Sequence, residues 1–319
     1  MANVGQARPA RIGVLDVGSN TVLLLVLDAD GRVLRDVAHI TRLGQGVFAS
    51  GELAPEAILR TRAAIAELAL LARADGVDRV LAVGTEALRR ARDGAEFLAR
   101  LVREGVLDAA RLLTGEEEAV VAVEATRLRV GVTREALAVI DVGGGSTEVA
   151  WRLRADAPIS GLSLPIGSVR LTEALLPRHP VPAADRARLR AELRRATEPL
   201  AAALPQGLPG DAAVVAVAAT ATTLAALELA LARYDAERVE GHEVATASLE
   251  AWIERLAGLG IAERQQLPGL EPARADVIVA GLAALHAVLA RLRVHRFAVS
   301  GRGVRHGVAL RVLAGQMVI

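Results

Sequence analysis

The residues with the greatest chemical potential in this chain lie in Asp141-Val142-Gly143-Gly144-Gly145-Ser146-Thr147-Glu148. Two carboxylates flank three successive glycines. Carboxylate oxygens are hard ligands that suit a divalent cation. Glycines leave the backbone N–H groups uncovered, so an anionic oxygen can approach them closely. The stretch could therefore hold a phosphate beside a metal ion. A plain hairpin turn also uses glycine, and that is how the stretch would be read in isolation. A second copy argues against the plain reading. Asp16-Val17-Gly18-Ser19-Asn20-Thr21 follows Ile12-Gly13-Val14-Leu15 and precedes an apolar run from Val22 to Leu27. Two strand–Asp-x-Gly–strand units, a domain's length apart, predict a duplicated fold with a cleft between the copies.

The elements that must position these residues follow from periodicity and breakers. Ala138-Val139-Ile140 leads into the glycine turn as a strand, and Val149-Ala150-Trp151 leaves it as another. Ile12–Leu27 is a hairpin, and Asp28–Gly31 turns into a third strand near Arg32–Ile40. Pro55–Ala74 has apolar residues at helical spacing and Pro55 in the first turn. Val80–Val83 is a short strand, with helices predicted from near Thr85 and over Gly94–Glu104. Strands alternating with helices indicate an α/β class. Glu116, Glu117 and Glu118 open a helix reaching about Leu128. Acids there complement the helix dipole, so capping alone would explain them unless one faces the cleft. Further strands are expected at Ile159–Leu164, Ala213–Ala218 and Phe297–Val299, with helices near 183–198, 220–231, 247–258 and 274–292 and at the C-terminus. Arg186, Arg188, Arg190, Arg194 and Arg195 on the first of these form either a solvated face or a track for a polyanion.

Composition narrows the class. At 319 residues the chain has room for about two domains. It is 52% apolar but only 2% aromatic, so its core must be aliphatic. A formal charge of +1 argues against a nucleic-acid coat. All its basic side chains apart from histidine are arginine, whose forked guanidinium suits phosphate. With no cysteine there is no disulfide, thiolate metal site or thiol nucleophile. The six histidines lack an H-E-x-x-H spacing and are given no role, although His242 is the one placed to touch a substrate. No membrane-length apolar run or signal-peptide core is seen, so a cytoplasmic protein without membrane partners is expected.

Together, Asp16–Thr21, Arg42–Gly46, Gly84–Arg89, Gly115–Ala119, Asp141–Glu148, Pro165–Glu173, Thr220–Leu224, Pro268–Gly281 and Gly303–Gly307 resemble the motifs of the exopolyphosphatase/guanosine pentaphosphate phosphatase (Ppx/GppA) family, in its order. The resemblance implies two ribonuclease-H-like α/β domains of the actin, sugar kinase and Hsp70 superfamily around a central cleft. It places the domains at 1–128 and 129–302, with the final helix, about 303–319, returning to the first. It implies removal of the terminal phosphate of inorganic polyphosphate, or of pppGpp at its 5′ end, with Mg²⁺, by a homodimer. By motif, Glu118 resembles the catalytic base, and Asp141 and Glu148 the carboxylates near metal and attacking water. Asp16 joins them as a metal ligand. Gly143, Gly144, Gly145 and Ser146 resemble one phosphate loop, Gly18, Ser19, Asn20 and Thr21 the other, and Arg89 an arginine near the phosphates.

Three positions depart from the family pattern. Ala218-Ala219 stands where Gly-Gly is usual, Gln45 where Glu is frequent, and His306 where Glu often follows the arginine. The methyl groups of Ala218 and Ala219 should crowd a nucleotide base, which favours polyphosphate over pppGpp. A kinase of the same fold and a non-catalytic polyphosphate or alarmone sensor are the readings from other classes. The first sits poorly with the altered glycines, and the second with the presence of all four acids.

Overall fold

A computed structural model describes residues 11–127 and 135–319. The chain forms two compact units, one reaching Leu113 and including Val304–Ile319, the other spanning Thr114–Gly303. In the first, β1 (Arg11–Val17), β2 (Thr21–Asp28), β3 (Val33–Ile40), β4 (Arg79–Gly84) and β5 (Ala109–Leu112) form a sheet ordered β3-β2-β1-β4-β5. The first three strands are antiparallel neighbours, and β4 and β5 join in parallel after helical crossovers.

The second unit contains β6 (Leu137–Val142), β7 (Thr147–Arg152), β8 (Ser160–Leu164), β9 (Ala213–Val217), β10 (Glu243–Ala245) and β11 (Arg296–Val299), ordered β10-β11-β9-β6-β7-β8. Without the antiparallel edge strand β10, the order β8-β7-β6-β9-β11 repeats the first sheet strand for strand and direction for direction. The duplication inferred from two Asp-x-Gly turns is therefore a duplication of topology.

Both sheets are covered on both faces, which is why their central strands read as nearly unbroken aliphatic runs. In the second unit, Ile140, Val142 and Val149 enter the larger core with the helix Ile278–Leu292. Val139, Ala150, Val215 and Val217 face the other way, against Ala119, Ala122 and Val123 of the helix Gly115–Arg127. That packing moves the domain boundary. The division expected between 128 and 129 falls outside the described residues, and the units part instead between Leu113 and Thr114. The helix bearing Glu118 therefore belongs to the second sheet. In the first unit the last helix, Val304–Leu313, packs on β1 and β2. Its buried Arg305 grips Asp36 of β3 through two hydrogen bonds of 3.0 and 2.8 Å.

One buried cation ties the loops around the helix Ile278–Leu292. Arg264 is fully buried and donates to the carbonyls of Leu256 (2.7 Å) and Ala275 (2.8 Å) and to His179 Nδ1 (3.1 Å). Burial lowers the guanidinium pKa to about 10, opposed by Asp276, so it remains charged at neutral pH. Arginine can only donate, so His179 must be neutral and accept at Nδ1. Burial, and then Arg264, hold the His179 pKa below its ordinary value, again opposed by Asp276. A depressed histidine pKa contributes stability that is present above the ordinary value, about 6.5, and is lost as pH falls from there through the folded-state value. Melting curves between pH 7.5 and 5 are expected to show a steeper acid loss of stability in the native chain than in His179→Asn, whose amide oxygen accepts the same bond without titrating.

Candidate active site

The site is built from a turn outward. Gly143 N–H donates to Ser146 O at 3.0 Å and closes the β6–β7 hairpin. This sets the register so that Asp141 lies directly opposite Glu148, and Glu148 opposite Ser163 of β8. Side chains at directly paired positions share a face. Asp141, Glu148 and Ser163 thus form a polar row across three strands, at the end of the aliphatic face that the helix Gly115–Arg127 covers.

Two close approaches register that helix. A Cβ added to Gly115 would lie 3.0 Å from the Ser163 Cβ, and one added to Gly161 would lie 3.0 Å from the Ala119 Cβ. Four helical residues rise about 6 Å, matching two strand residues, so the first turn spans from Ser163 to Gly161. Glu118 sits in that turn. The three acids there take different roles. Glu116 is exposed. Glu117 closes a capping box, accepting from Thr114 N–H at 2.9 Å while its own N–H donates to Thr114 Oγ1 at 3.1 Å. Glu118 is 5% exposed. Capping therefore accounts for Glu117 and leaves the burial of Glu118 to another cause.

Glu148 is also only 5% exposed, and its Oε1 accepts from Ser146 Oγ (2.6 Å) and Ser163 Oγ (2.8 Å). Asp141 is half-buried, and its Oδ2 lies 3.9 Å from where a Cβ on Gly303 would stand. The turn's carbonyls are occupied. Gly143 O accepts from Ser168 N–H, and Gly144 O from the N–H groups of Val169 and Arg170, at 2.9–3.0 Å. The N–H groups of Gly144 and Gly145 form no backbone hydrogen bond among the described residues. This turn can receive an anion beside a carboxylate pair. As for a metal, two adjacent carboxylates fit a magnesium ion, which keeps several waters and takes one or two protein oxygens together with substrate phosphate. No three Asp, Glu, His or Cys side chains form a metal-binding group among the described residues. Asp16 belongs to the first unit.

There the same turn recurs. Gly18 N–H donates to Thr21 O at 3.0 Å, and Thr85 Oγ1 reaches Val17 O as Thr220 Oγ1 reaches Val142 O. Opposite Asp16, however, stands Leu23 and not a carboxylate. Asn20 is 6% exposed, and its amide nitrogen and oxygen have no hydrogen-bond partner among the described residues. An orphaned amide in a turn of this kind marks a place for a polar ligand. Arg89 is held locally, donating to Leu113 O (2.6 Å) and Glu86 Oε2 (3.0 Å).

Several sequence readings resolve differently in space. The arginine-rich helix, Ala183–Ala196, is largely neutralised: Arg186 and Arg190 face Glu254, Arg188 meets Asp185, and Arg195 meets Glu192. Arg188 and then Arg178 hold the Asp185 carboxyl below the usual range. It is an ion-paired surface more than a bare track. His242 is engaged by Glu228 Oε2 at 2.9 Å. Ala218 takes a left-handed φ of 63°. Such a backbone costs a non-glycine residue roughly 1–2 kcal/mol.

The sequence pattern of the Ppx/GppA phosphatase family matches residues 28–315. The chain belongs to that family. Among relatives, Exopolyphosphatase 2 of Mycobacterium tuberculosis is 34% identical over 96% of this chain and 99% of its own length. The Ppx/GppA enzyme of Aquifex aeolicus is 31% identical and superposes with a TM-score of 0.76 over 94% of this chain and 98% of its own. An exopolyphosphatase from Cytophaga hutchinsonii, 23% identical, shows the same fold with a TM-score of 0.86 over 96% and 99% of the two chains. The chain thus has the two-domain, actin-like α/β architecture of Ppx/GppA proteins.

Ser163 lies outside every motif read from the sequence, and Gly44 and Gly167 lie within Arg42–Gly46 and Pro165–Glu173 but were given no role of their own. The only cue to Ser163 was a polar residue on the same strand face as Gly161. The glycines allow backbone to press on each turn. A Cβ on Gly167 would stand 2.4 Å from Gly144 O, and one on Gly44 would stand 2.7 Å from the Ser19 Cβ. Gly167→Ala is expected to lower the unfolding free energy in urea by about 1–3 kcal/mol through overpacking. Gly210→Ala, with nothing within 4 Å, is the control expected to remain near the native value.

Proposed function

We propose that this chain is an exopolyphosphatase, a phosphoric anhydride hydrolase that releases orthophosphate from the end of inorganic polyphosphate. The observation that carries the reading is the Asp141–Glu148 cross-strand pair beside the glycine turn, with buried Glu118 on the helix over the same face. The relatives' names support the substrate class.

The anhydride terminus is highly anionic, and its charge must be countered before a nucleophile can approach. The N–H groups of Gly144 and Gly145 would receive the terminal phosphate oxygens, and the turn of the first unit, with Gly18, Ser19, Asn20 and Thr21, offers a second phosphate-binding element. Asp141 and Glu148 would hold Mg²⁺, which when bound supplies positive charge to the phosphoryl oxygens. The chain has no cysteine, so the nucleophile is assigned to water. Glu118 takes its proton as the new P–O bond forms. The bridging P–O bond breaks, and orthophosphate and a chain shorter by one phosphate leave.

Polyphosphate is favoured over pppGpp by Ala218. It puts a methyl group, on a left-handed backbone immediately after β9, where the family resemblance leads one to expect glycine. Phosphate release measured in parallel from polyphosphate, pppGpp and ATP with Mg²⁺ is expected to be fastest from polyphosphate. Preferential release from pppGpp would reassign the substrate, and ATP-dependent phosphorylation of a small acceptor would reassign the reaction. Glu118→Gln should lower kcat by about 10²–10⁴-fold with polyphosphate affinity little changed. Near-native turnover in that variant would remove Glu118 from the base role.

A further inference from the structure

We propose that Ser163 is a positioning residue that orients Glu148 and joins it to the start of the helix carrying Glu118. The inference rests on the proposed use of Glu148 as a metal-holding carboxylate. It goes further by assigning a role on β8, outside both glycine turns.

Glu148 Oε1 accepts two hydroxyl hydrogen bonds, from Ser146 at 2.6 Å and from Ser163 at 2.8 Å. Ser146 is two residues away along the chain, and its bond follows the hairpin wherever it goes. Ser163 comes from a different strand, directly opposite Glu148 in the β7–β8 register. Two donors from independent directions on one oxygen define the plane of the carboxylate as well as the place of that oxygen. The residue is otherwise exposed, so burial does not explain its presence on this face. The face continues inward with Gly161, which is kept small by Ala119.

Ser163 also touches the helix. A Cβ on Gly115 would come within 3.0 Å of the Ser163 Cβ, so the helix starts against this one side chain. One residue therefore contacts the two elements that carry the proposed metal carboxylate and the proposed base. Hydrogen-bond partners behind metal ligands commonly govern metal affinity, by about 10–100-fold.

The test uses the full chain with Mn²⁺ and Mg²⁺ as probes. Binding is followed by calorimetry, and turnover on polyphosphate is measured separately. Ser163→Ala should weaken metal binding about tenfold and lower kcat, with KM for polyphosphate and the melting temperature close to native. Ser163→Thr should restore both, because the hydroxyl is kept and threonine suits a strand. Native metal affinity and kcat in Ser163→Ala would overturn the proposal. So would a rise in KM alone, which would make Ser163 a substrate contact, or equal losses in the alanine and threonine variants. The metal titration does not depend on the substrate. A native chain inactive on polyphosphate would therefore count against the proposed function while the role of Ser163 is judged on binding.

Discussion

One register between two strands supports the whole arrangement. β6 and β7 are joined by a turn that the Gly143–Ser146 hydrogen bond closes, and this places Asp141 opposite Glu148. Side chains alternate faces along a strand, so a slip of one residue in β7 would carry Glu148 into the aliphatic core beside Ile140 and Val142 of β6. A carboxylate there would be buried among hydrocarbon, at a cost that normally forces protonation or rearrangement. The fold avoids this by specifying the hairpin several times over. The turn is short, the helix Ser168–Leu175 donates three N–H bonds to its carbonyls, and Gly167 permits backbone contact that no larger residue would allow.

The duplication shows what is general in the architecture and what is specific. Both sheets share strand order, the first turn's hydrogen bond and a threonine bonded to the carbonyl at the end of the central strand. They differ at the positions that matter for chemistry. Opposite its aspartate, the second unit has Glu148 and the first has Leu23. Within the turn, the second has Gly144-Gly145 and the first has Ser19-Asn20. One copy presents a carboxylate pair, the other an amide that finds no partner among the described residues. An ancestral glycine turn specialised twice would have this form.

Most of the skeleton was legible because its signals are local. Pro55 and an aliphatic period defined the helix Pro55–Ala74, and glycines marked both hairpins. Short elements such as β5 and β10, of 4 and 3 residues, escaped because pairing partners distant in sequence make them strands. The sheet to which the helix Gly115–Arg127 belongs was hidden for a similar reason. The helix Gly115–Arg127 follows the first sheet in sequence, but Ala119 and Val123 are matched to Val139 and Ala150, which occur later. Within Glu116–Glu118, composition could not separate the capping acid from the buried one, since both suit a helix start. Ser163 was hidden because its meaning lies in a register spanning three strands.

The central claim is that Asp141 and Glu148 act as one unit in phosphate release. A double-mutant cycle on kcat for polyphosphate, with Asp141→Asn and Glu148→Gln singly and together, tests it directly. Groups that act jointly are strongly non-additive. The double variant should be no slower than the slower single variant by more than about twofold, each single change costing on the order of a hundredfold or more. Losses that multiply, or a near-native rate in either single variant, would contradict the account.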